Sequence, residues 1–541
     1  MRPFRFSIVI ATVALGAACG GASTPTTPAA ITSVRVHVEP ALSERLLPQV
    51  EGFFAQRGVA FEQVSPNDAD LVITSEPDAA ATAVTTRYWV PVATLSTFAD
   101  DVPLAAIEAL IADRATTWSL DPEAGLEPSL LVPDDPAAPL AQWSTPAAAG
   151  ALAMPLESIA RALAEDPGAI ALLPLEAVDA RVRSLSVDGE NAVFDAGASH
   201  PLAEQAFVRP RDGDAQLEAL ASELAADLSA QPPEVTLLRA TGDIIPARCV
   251  YAKHLQYGDP AHAFRELGPW LAEADITVGS LDAAISDAGP PFECVETFSL
   301  LAPASAIEGL ELAGFDVITV ATNHVKDCGQ AACGDQAFFE TLENLRGAGI
   351  APVGGGADLA AARAPGIVEA GGVRFAFLGY DEIAPYYHAA EGVPGTAPLL
   401  EQYVRDDVAA ARAIADVVIV LPQWGVEYTA DPTLGQRALA RAAVEAGAGL
   451  VVGNHPHWVQ AAEVIDRTYV AYALGNFVFD QDWSVPTQQG VVLEAAFHGV
   501  ELKGVRYYPI RIVDEHQPVF AEPAEAREIL DRIWTASAAL E

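Results

Sequence analysis

The residues able to do chemistry sit in the second half of this 541-residue chain, each just after a short apolar run. Val235–Ala240 leads into Thr241-Gly242-Asp243, Ile276–Val278 into Gly279-Ser280-Leu281-Asp282, and Phe315–Ala321 into Thr322-Asn323-His324. Val417–Leu421 leads into Pro422-Gln423-Trp424-Gly425, Leu450–Val452 into Gly453-Asn454-His455-Pro456-His457, and Tyr469–Leu474 into Gly475-Asn476-Phe477. Asp243, Asp282, Asn323, His324, His455 and His457 together offer carboxylate, amide oxygen and imidazole. That mixed N/O set suits Mn, Fe, Zn or a similar divalent ion. Pro456 has a fixed φ that stiffens the turn between His455 and His457 and aims both rings. Taken singly, each residue also has a plain structural reading: the two histidines as packed or surface imidazoles, Asp243 as a cap or turn residue. The recurrence of such loops is what gathers them into one site.

The elements that must position them follow from the same runs. Continuous apolar stretches of this length suit strands covered on both faces. Open α/β sheets bind ligands at the carboxyl ends of such strands. Helix-period segments, for example Ala337–Ala348 and Gln436–Ala446, lie between them. The first half begins as strand, helix, strand: Val34–Val38 alternates, Ala41–Arg57 has helical spacing, and Leu71–Thr74 is apolar. Helices are expected over Pro103–Ala112 and Leu217–Leu228, a strand over Ala169–Pro174, and a linker at Gln231-Pro232-Pro233. The expected organisation is two α/β domains, 31–230 and 235–520, with a helical tail over 521–541.

Two resemblances add to this reading. Trp89-Val90-Pro91-Val92 and Gly168-Ala169-Ile170-Ala171-Leu172-Leu173-Pro174-Leu175 resemble phrases of periplasmic solute-binding proteins, with a generic α/β domain as the alternative. The second domain resembles the CapA family, the poly-γ-glutamate capsule synthesis proteins of the calcineurin-like metallophosphatase superfamily. The matching blocks are Thr241-Gly242-Asp243-Ile244, Ser280-Leu281-Asp282, Ala321-Thr322-Asn323-His324 with Asp327 and Gly329, Gln423-Trp424-Gly425-Val426-Glu427-Tyr428, Gly453-Asn454-His455-Pro456-His457, and Tyr472-Ala473-Leu474-Gly475-Asn476-Phe477. The resemblance implies a layered α/β sandwich holding one or two metal ions. It implies Asp243, Asp282, Asn323, His455 and His457 as ligands and His324 as the group that gives a proton to a leaving oxygen. Gln423, Glu427 and Asn476 are further candidates for metal or substrate. Three positions depart from the pattern: Ile245 stands where hydrolytic members carry His, Asp282 where the family has Glu, and Gln423 where it has His. Trp424, Glu427 and Tyr428 read equally well as structural residues.

The chain opens with an address. Arg2 and Arg5 precede Ser7–Ala18, an apolar run too short for a comfortable membrane span and laid out as a secretory signal. Leu15-Gly16-Ala17-Ala18-Cys19 resembles a bacterial lipoprotein cleavage box. Residues 1–18 are therefore the expected signal peptide, Cys19 the lipidated residue, and 20–30 a Pro/Thr-rich tether. The expected location is the cell envelope, lipid-anchored to a membrane at the periplasmic side or the cell surface. Export favours disulfides among the remaining Cys249, Cys294, Cys328 and Cys333. The pairing 249–294 with 328–333 is favoured, two other connectivities stay open, and a zinc site is the rival.

Composition bounds the partners. Lys+Arg is 30 against 73 Asp+Glu, a formal charge of −43, which excludes a general nucleic-acid binder. With 51% hydrophobic residues, wholesale disorder is excluded too. Three functions compete: a tethered CapA-like protein of polyglutamate or other surface-polymer biogenesis, working beside capsule synthase partners on an anionic polymer; a metallophosphoesterase; and a non-catalytic lipoprotein that binds a small solute or a polymer. The first two are metal-dependent hydrolase readings, of an amide or a phosphoester.

Overall fold

A computed structural model describes residues 31–78, 80–122, 124–134, 151–195, 200–211, 213–230 and 234–540. The expected signal peptide, Cys19, the 20–30 tether and the Gln231-Pro232-Pro233 linker lie outside the described residues.

In the first unit the strand Ser33–Val38 runs parallel to Ala60–Gln63 and to Leu71–Thr74. Helix Pro40–Gln56 starts on a proline, which a first helical turn accepts because that N–H is unused there. It buries Leu42, Leu46, Val50, Phe53 and Phe54, a stripe at helical spacing. Ala60–Gln63 was not expected. It is a mostly exposed edge strand, so no apolar alternation marks it. Thr82–Ala93, 12 residues long, pairs antiparallel with Ala203–Pro210 through its first half and with Ala169–Pro174 through its second. Ser129–Pro133 and Ala151–Met154 continue that side in parallel. The sheet therefore has two lobes. Val36, Phe53, Phe54 and Ile73 fill one core, and Trp89, Ile107, Leu130 and Leu172 fill the other.

The second unit is a four-layer α/β/β/α sandwich, the layered architecture expected. Val235–Ile244, Ile276–Leu281, Val317–Thr319 and Ala351–Val353 are parallel neighbours in one sheet. Gln489–His498 pairs antiparallel with the first of them and forms a long hairpin with Glu501–Val513. The other sheet runs Gly366–Ala370, Val373–Asp381, Val417–Gln423, Leu450–Val452, Thr468–Ala471 and Ala462–Ile465, parallel through its four middle strands. Leu238, Val278 and Leu493 meet Phe377, Ile419 and Val452 between the sheets. Helices Cys249–Tyr257 and Gln336–Gly347 cover one outer face, and Glu401–Ala411 and Leu434–Ala446 the other. Both faces of each sheet are covered, so the strands read as unbroken apolar runs.

Three features brace this unit. Arg239, Glu494 and Arg506 lie opposite one another on adjacent strands. The buried Glu494 carboxylate accepts from Arg239 Nε at 2.8 Å and from Arg506 Nε at 2.5 Å, while Arg239 stacks 3.8 Å from the Trp270 ring centre. Disulfides join Cys249 to Cys294 and Cys328 to Cys333, the favoured pairing. The Gln489–Val513 hairpin reaches the first unit. There His498 Nε2 donates to the Val193 carbonyl at 2.8 Å, Lys503 Nζ donates to the Glu176 carbonyl at 3.2 Å, and Ala496 joins a core with Val90, Val193 and Phe194. Among the described residues no helix is long and apolar enough to cross a membrane.

Candidate metal centre at the strand ends

The strand ends of both sheets converge. Asp243 sits near the end of Val235–Ile244, where its N–H donates to the Gly475 carbonyl at 3.0 Å. A Cβ on residue 242 would strike that carbonyl, so the residue before Asp243 is glycine. Asp282 follows Ile276–Leu281, Asn323 and His324 follow Val317–Thr319, and Gln423 closes Val417–Gln423. His455 and His457 follow Leu450–Val452 with φ of +101° and +60°, left-handed conformations uncommon for side-chain-bearing residues. Asn476 opens a short strand paired with Asp243. Asp243, Asp282, Gln423, Asn454, His455, His457 and Asn476 are all buried.

Two hydrogen-bonded groups organise the site. In one, Gln423 Nε2 donates to Asp282 Oδ1 at 3.1 Å, and Gln423 Oε1 accepts from the Asn323 N–H at 2.8 Å. In the other, Asp243 Oδ2 accepts from the His455 N–H at 3.2 Å and lies 3.4 Å from His457 Nδ1. His457 Nδ1 is also 2.8 Å from Asn476 Oδ1, and Asn476 Nδ2 donates to Gln481 Oε1 and to the Thr487 carbonyl. At the rim His324 Nδ1 lies 2.7 Å from Asp327 Oδ2, which also accepts from the Leu300 N–H.

Five buried atoms here have no hydrogen-bond partner: Asp243 Oδ1, Asp282 Oδ2, Asn323 Oδ1, Asn454 Oδ1 and His455 Nδ1. Leaving a buried carboxylate oxygen unpaired costs on the order of 1–3 kcal/mol or more. A cation removes that cost, and this oxygen-rich set with one imidazole fits a divalent ion. The fit has a limit. Among the described residues, three His, Cys, Asp or Glu ligand atoms come within 4.8 Å of one another only at Cys249, Cys294 and Glu515, whose sulfurs form a disulfide.

Electrostatics separates the four titratable groups. Burial pushes Asp282 up to about 6, and the charge of Asp243 adds to the shift. Burial, then His457 and His324, push His455 down to about 3, so its ring is neutral and able to ligate. Burial opposes charge on His457, yet its bond to Asp243 and that carboxylate's charge raise it to about 9. His324 is also raised against burial, by Asp282 and by its bond to Asp327.

The remaining expected residues are placed differently. Asn476 spends its amide on His457, Gln481 and Thr487, and Gln423 spends both ends of its amide. Glu427 is exposed beside Tyr428. Trp424 is buried and donates to the Tyr472 carbonyl at 2.8 Å. Ile245 is packed in the core and offers no donor. Sequence reasoning gave no role to Asp327 or to the Asn454 side chain. The three-residue spacing from His324 to Asp327 was the available signal for the first.

Residues 237–481 match the family described as "Bacterial capsule synthesis protein PGA_cap". Over that segment the chain is similar to this family. The "Capsule biosynthesis protein CapA" of Bacillus anthracis is 30% identical over 270 residues, 49% of this chain and 64% of that protein. The "PGA biosynthesis protein CapA" of Bacillus subtilis (strain 168) is 29% identical over 289 residues, 53% of this chain and 73% of that protein. The chain thus spans somewhat under two thirds of the length of the first relative. Solved structures are more distant. An ABC-type phosphate transport receptor from Vibrio cholerae has 12% identity and a TM-score of 0.27, covering 36% of this chain and 93% of its own. A 5'-nucleotidase precursor from Thermus thermophilus has 15% identity and a TM-score of 0.30, covering 55% and 58%. The capsule-synthesis segment contains every residue of the candidate centre.

Proposed function

We propose that this chain is an exported, membrane-tethered protein of cell-surface polymer biogenesis that cleaves or trims an anionic polymer of the polyglutamate class with a divalent metal ion. The family similarity over residues 237–481 supports the pathway, and the relatives' printed names concern capsule and PGA biosynthesis. The observation that carries the chemistry is the group of five unpartnered buried donor atoms at the strand ends. Two disulfides suit an oxidising compartment and hence export, with Cys19 as the lipid anchor. Capsule synthase components are the proposed partners.

Asp243, Asp282, Asn323 and His455 would hold the ion, with His457 beside them. Bound there, a divalent ion supplies Lewis-acid polarisation of the scissile group. Asp327 holds the Nδ1 proton of His324, which leaves Nε2 to deliver a proton to the departing atom. The raised proton affinity of His324 keeps that proton available near neutral pH. The −43 charge repels a polyanion, so turnover should rise with salt or added divalent ions.

The test incubates the full chain with Mn²⁺ and poly-γ-glutamate of defined length and follows polymer length by size exclusion. Shortening that disappears in His324→Ala supports the proposal. Cleavage of p-nitrophenyl phosphate without polymer shortening points to the phosphoesterase reading. Polymer retention with neither reaction points to a binding protein, the reading favoured by Ile245 and by the fully spent amide of Gln423.

A further inference from the structure

A cavity of about 610 Å³ lies where the two units meet, between helix Pro40–Gln56, the middle of strand Thr82–Ala93 and the turn of the Gln489–Val513 hairpin. Its size is that of a small-ligand site. Three permanent cations line it, Arg45, Arg87 and Lys503, against two carboxylates, Glu176 and Glu501. The buried Glu204 bonds Arg45 from beneath, so the cavity is close to neutral in a chain of 73 acids and 30 bases. An anion is repelled less here than by the chain as a whole.

The cations are held, and the carboxylates that cover two of them are not. Arg87 Nε lies 2.8 Å from Glu176 Oε1, and Lys503 Nζ lies 2.7 Å from Glu501 Oε2. The Arg87 and Lys503 side chains are 16% and 8% exposed, whereas those of Glu176 and Glu501 are 59% and 64% exposed. An ion pair whose carboxylate sits in water contributes little, so either glutamate swings away at small cost. Lys503 stays in place through the Glu176 carbonyl. Two buried guanidinium atoms, Arg87 Nη1 and Arg45 Nε, have no hydrogen-bond partner, which leaves donors unspent beside the cavity. His498 lines the same wall, bonded to the Val193 carbonyl and kept neutral by burial.

We propose that this cavity binds an acidic chain through two of its carboxylates, which displace Glu176 and Glu501 from Arg87 and Lys503. The two glutamates are placeholders: each shows that its cation accepts a carboxylate, and each leaves when a ligand brings its own. His498 stands eight strand residues from Gly490, roughly 27 Å, so a ligand here leaves the strand-end centre open. The choice of a glutamate polymer as ligand rests on the function proposed above; the site itself needs no metal.

Isothermal titration calorimetry of the full chain with penta-γ-glutamate, in EDTA and at about 0.15 M NaCl, measures the binding. One equivalent is expected. Arg87→Gln should weaken it roughly tenfold. The double variant Glu176→Gln/Glu501→Gln, changed only at exposed side chains, should tighten it about threefold. The same charge change at Glu401→Gln/Glu445→Gln, around Arg405, should leave it as it is. No binding by wild type or by the first double variant, or equal affinity in the two double variants, would overturn the proposal. Inorganic phosphate binding as tightly as the pentamer would overturn the assignment to carboxylates. The two double variants decide the matter even where Arg87→Gln folds poorly. Binding in EDTA without polymer shortening by the Mn²⁺-loaded chain would leave this site standing and sink the hydrolase reading, and shortening without this binding would do the reverse.

Discussion

His254 gives a prediction with a calculable size. It lies on helix Cys249–Tyr257, 4% exposed, with neither ring nitrogen hydrogen-bonded. Burial, and then the neighbouring His516 and His262, push it down from 6.5 to about 4, against a small opposing pull from Asp259. The folded state thus favours the neutral ring. Its contribution is fully present above pH 6.5 and is lost as pH falls toward 4. Linkage puts that loss at about 2 kcal/mol by pH 5 and about 3 kcal/mol by pH 4. His254→Leu removes the titration. The assay is urea denaturation of wild type and variant at pH 7 and pH 5, comparing the change in unfolding free energy of the transition that includes this helix. Wild type should lose about 2 kcal/mol more than the variant. A difference below about 0.5 kcal/mol would show that the folded protein accommodates the protonated ring and would refute the reasoning.

Three further outcomes follow from the same coordinates. Glu494→Gln leaves the buried Arg239 without its carboxylate, keeping only the Trp270 carbonyl and ring. It should cost about 3 kcal/mol in a denaturant melt, whereas Glu401→Gln, at an exposed pair with Arg405, should cost under about 0.5 kcal/mol. Asp327→Asn removes the charge that helps hold the His324 proton. The alkaline limb of the activity profile should move to lower pH, and turnover on the polymer should fall about 100-fold. Replacing Cys249 and Cys294 by Ser opens a loop of 45-residue separation and should cost about 4 kcal/mol, against about 2 for the pair separated by 5, as read from melting curves of the two double variants.

Much of the site was legible because its residues end buried strands. Unbroken apolar runs located Asp243, Asp282, Asn323, His455 and His457, and sheet topology brings such ends together whatever the loops between them. Gln423 was legible only as a weak substitute for a ligand. That its two amide ends clamp Asp282 and Asn323 depends on the register of two different sheets, which no local pattern encodes. Asp327 was part of the matching pattern but received no role for a related reason: its partner is three residues away, but its second acceptor bond comes from Leu300, across a loop. In the first unit the helix over Pro40–Gln56 declared itself by its stripe. The two-lobed sheet did not, because nothing local in Thr82–Ala93 says that its first half pairs with Ala203–Pro210 and its second with Ala169–Pro174.

The Gln489–Val513 hairpin has a mechanical consequence. Its first strand is 10 residues long, a rod of roughly 33 Å. One end is stitched to the candidate centre, where Gly490 bridges to Gly475 beside Asn476. The other end is seated in the first unit through Val193, Phe194 and Glu176. The same hairpin thus fixes the placement of the first unit and of the loop that carries Asn476, the partner of His457.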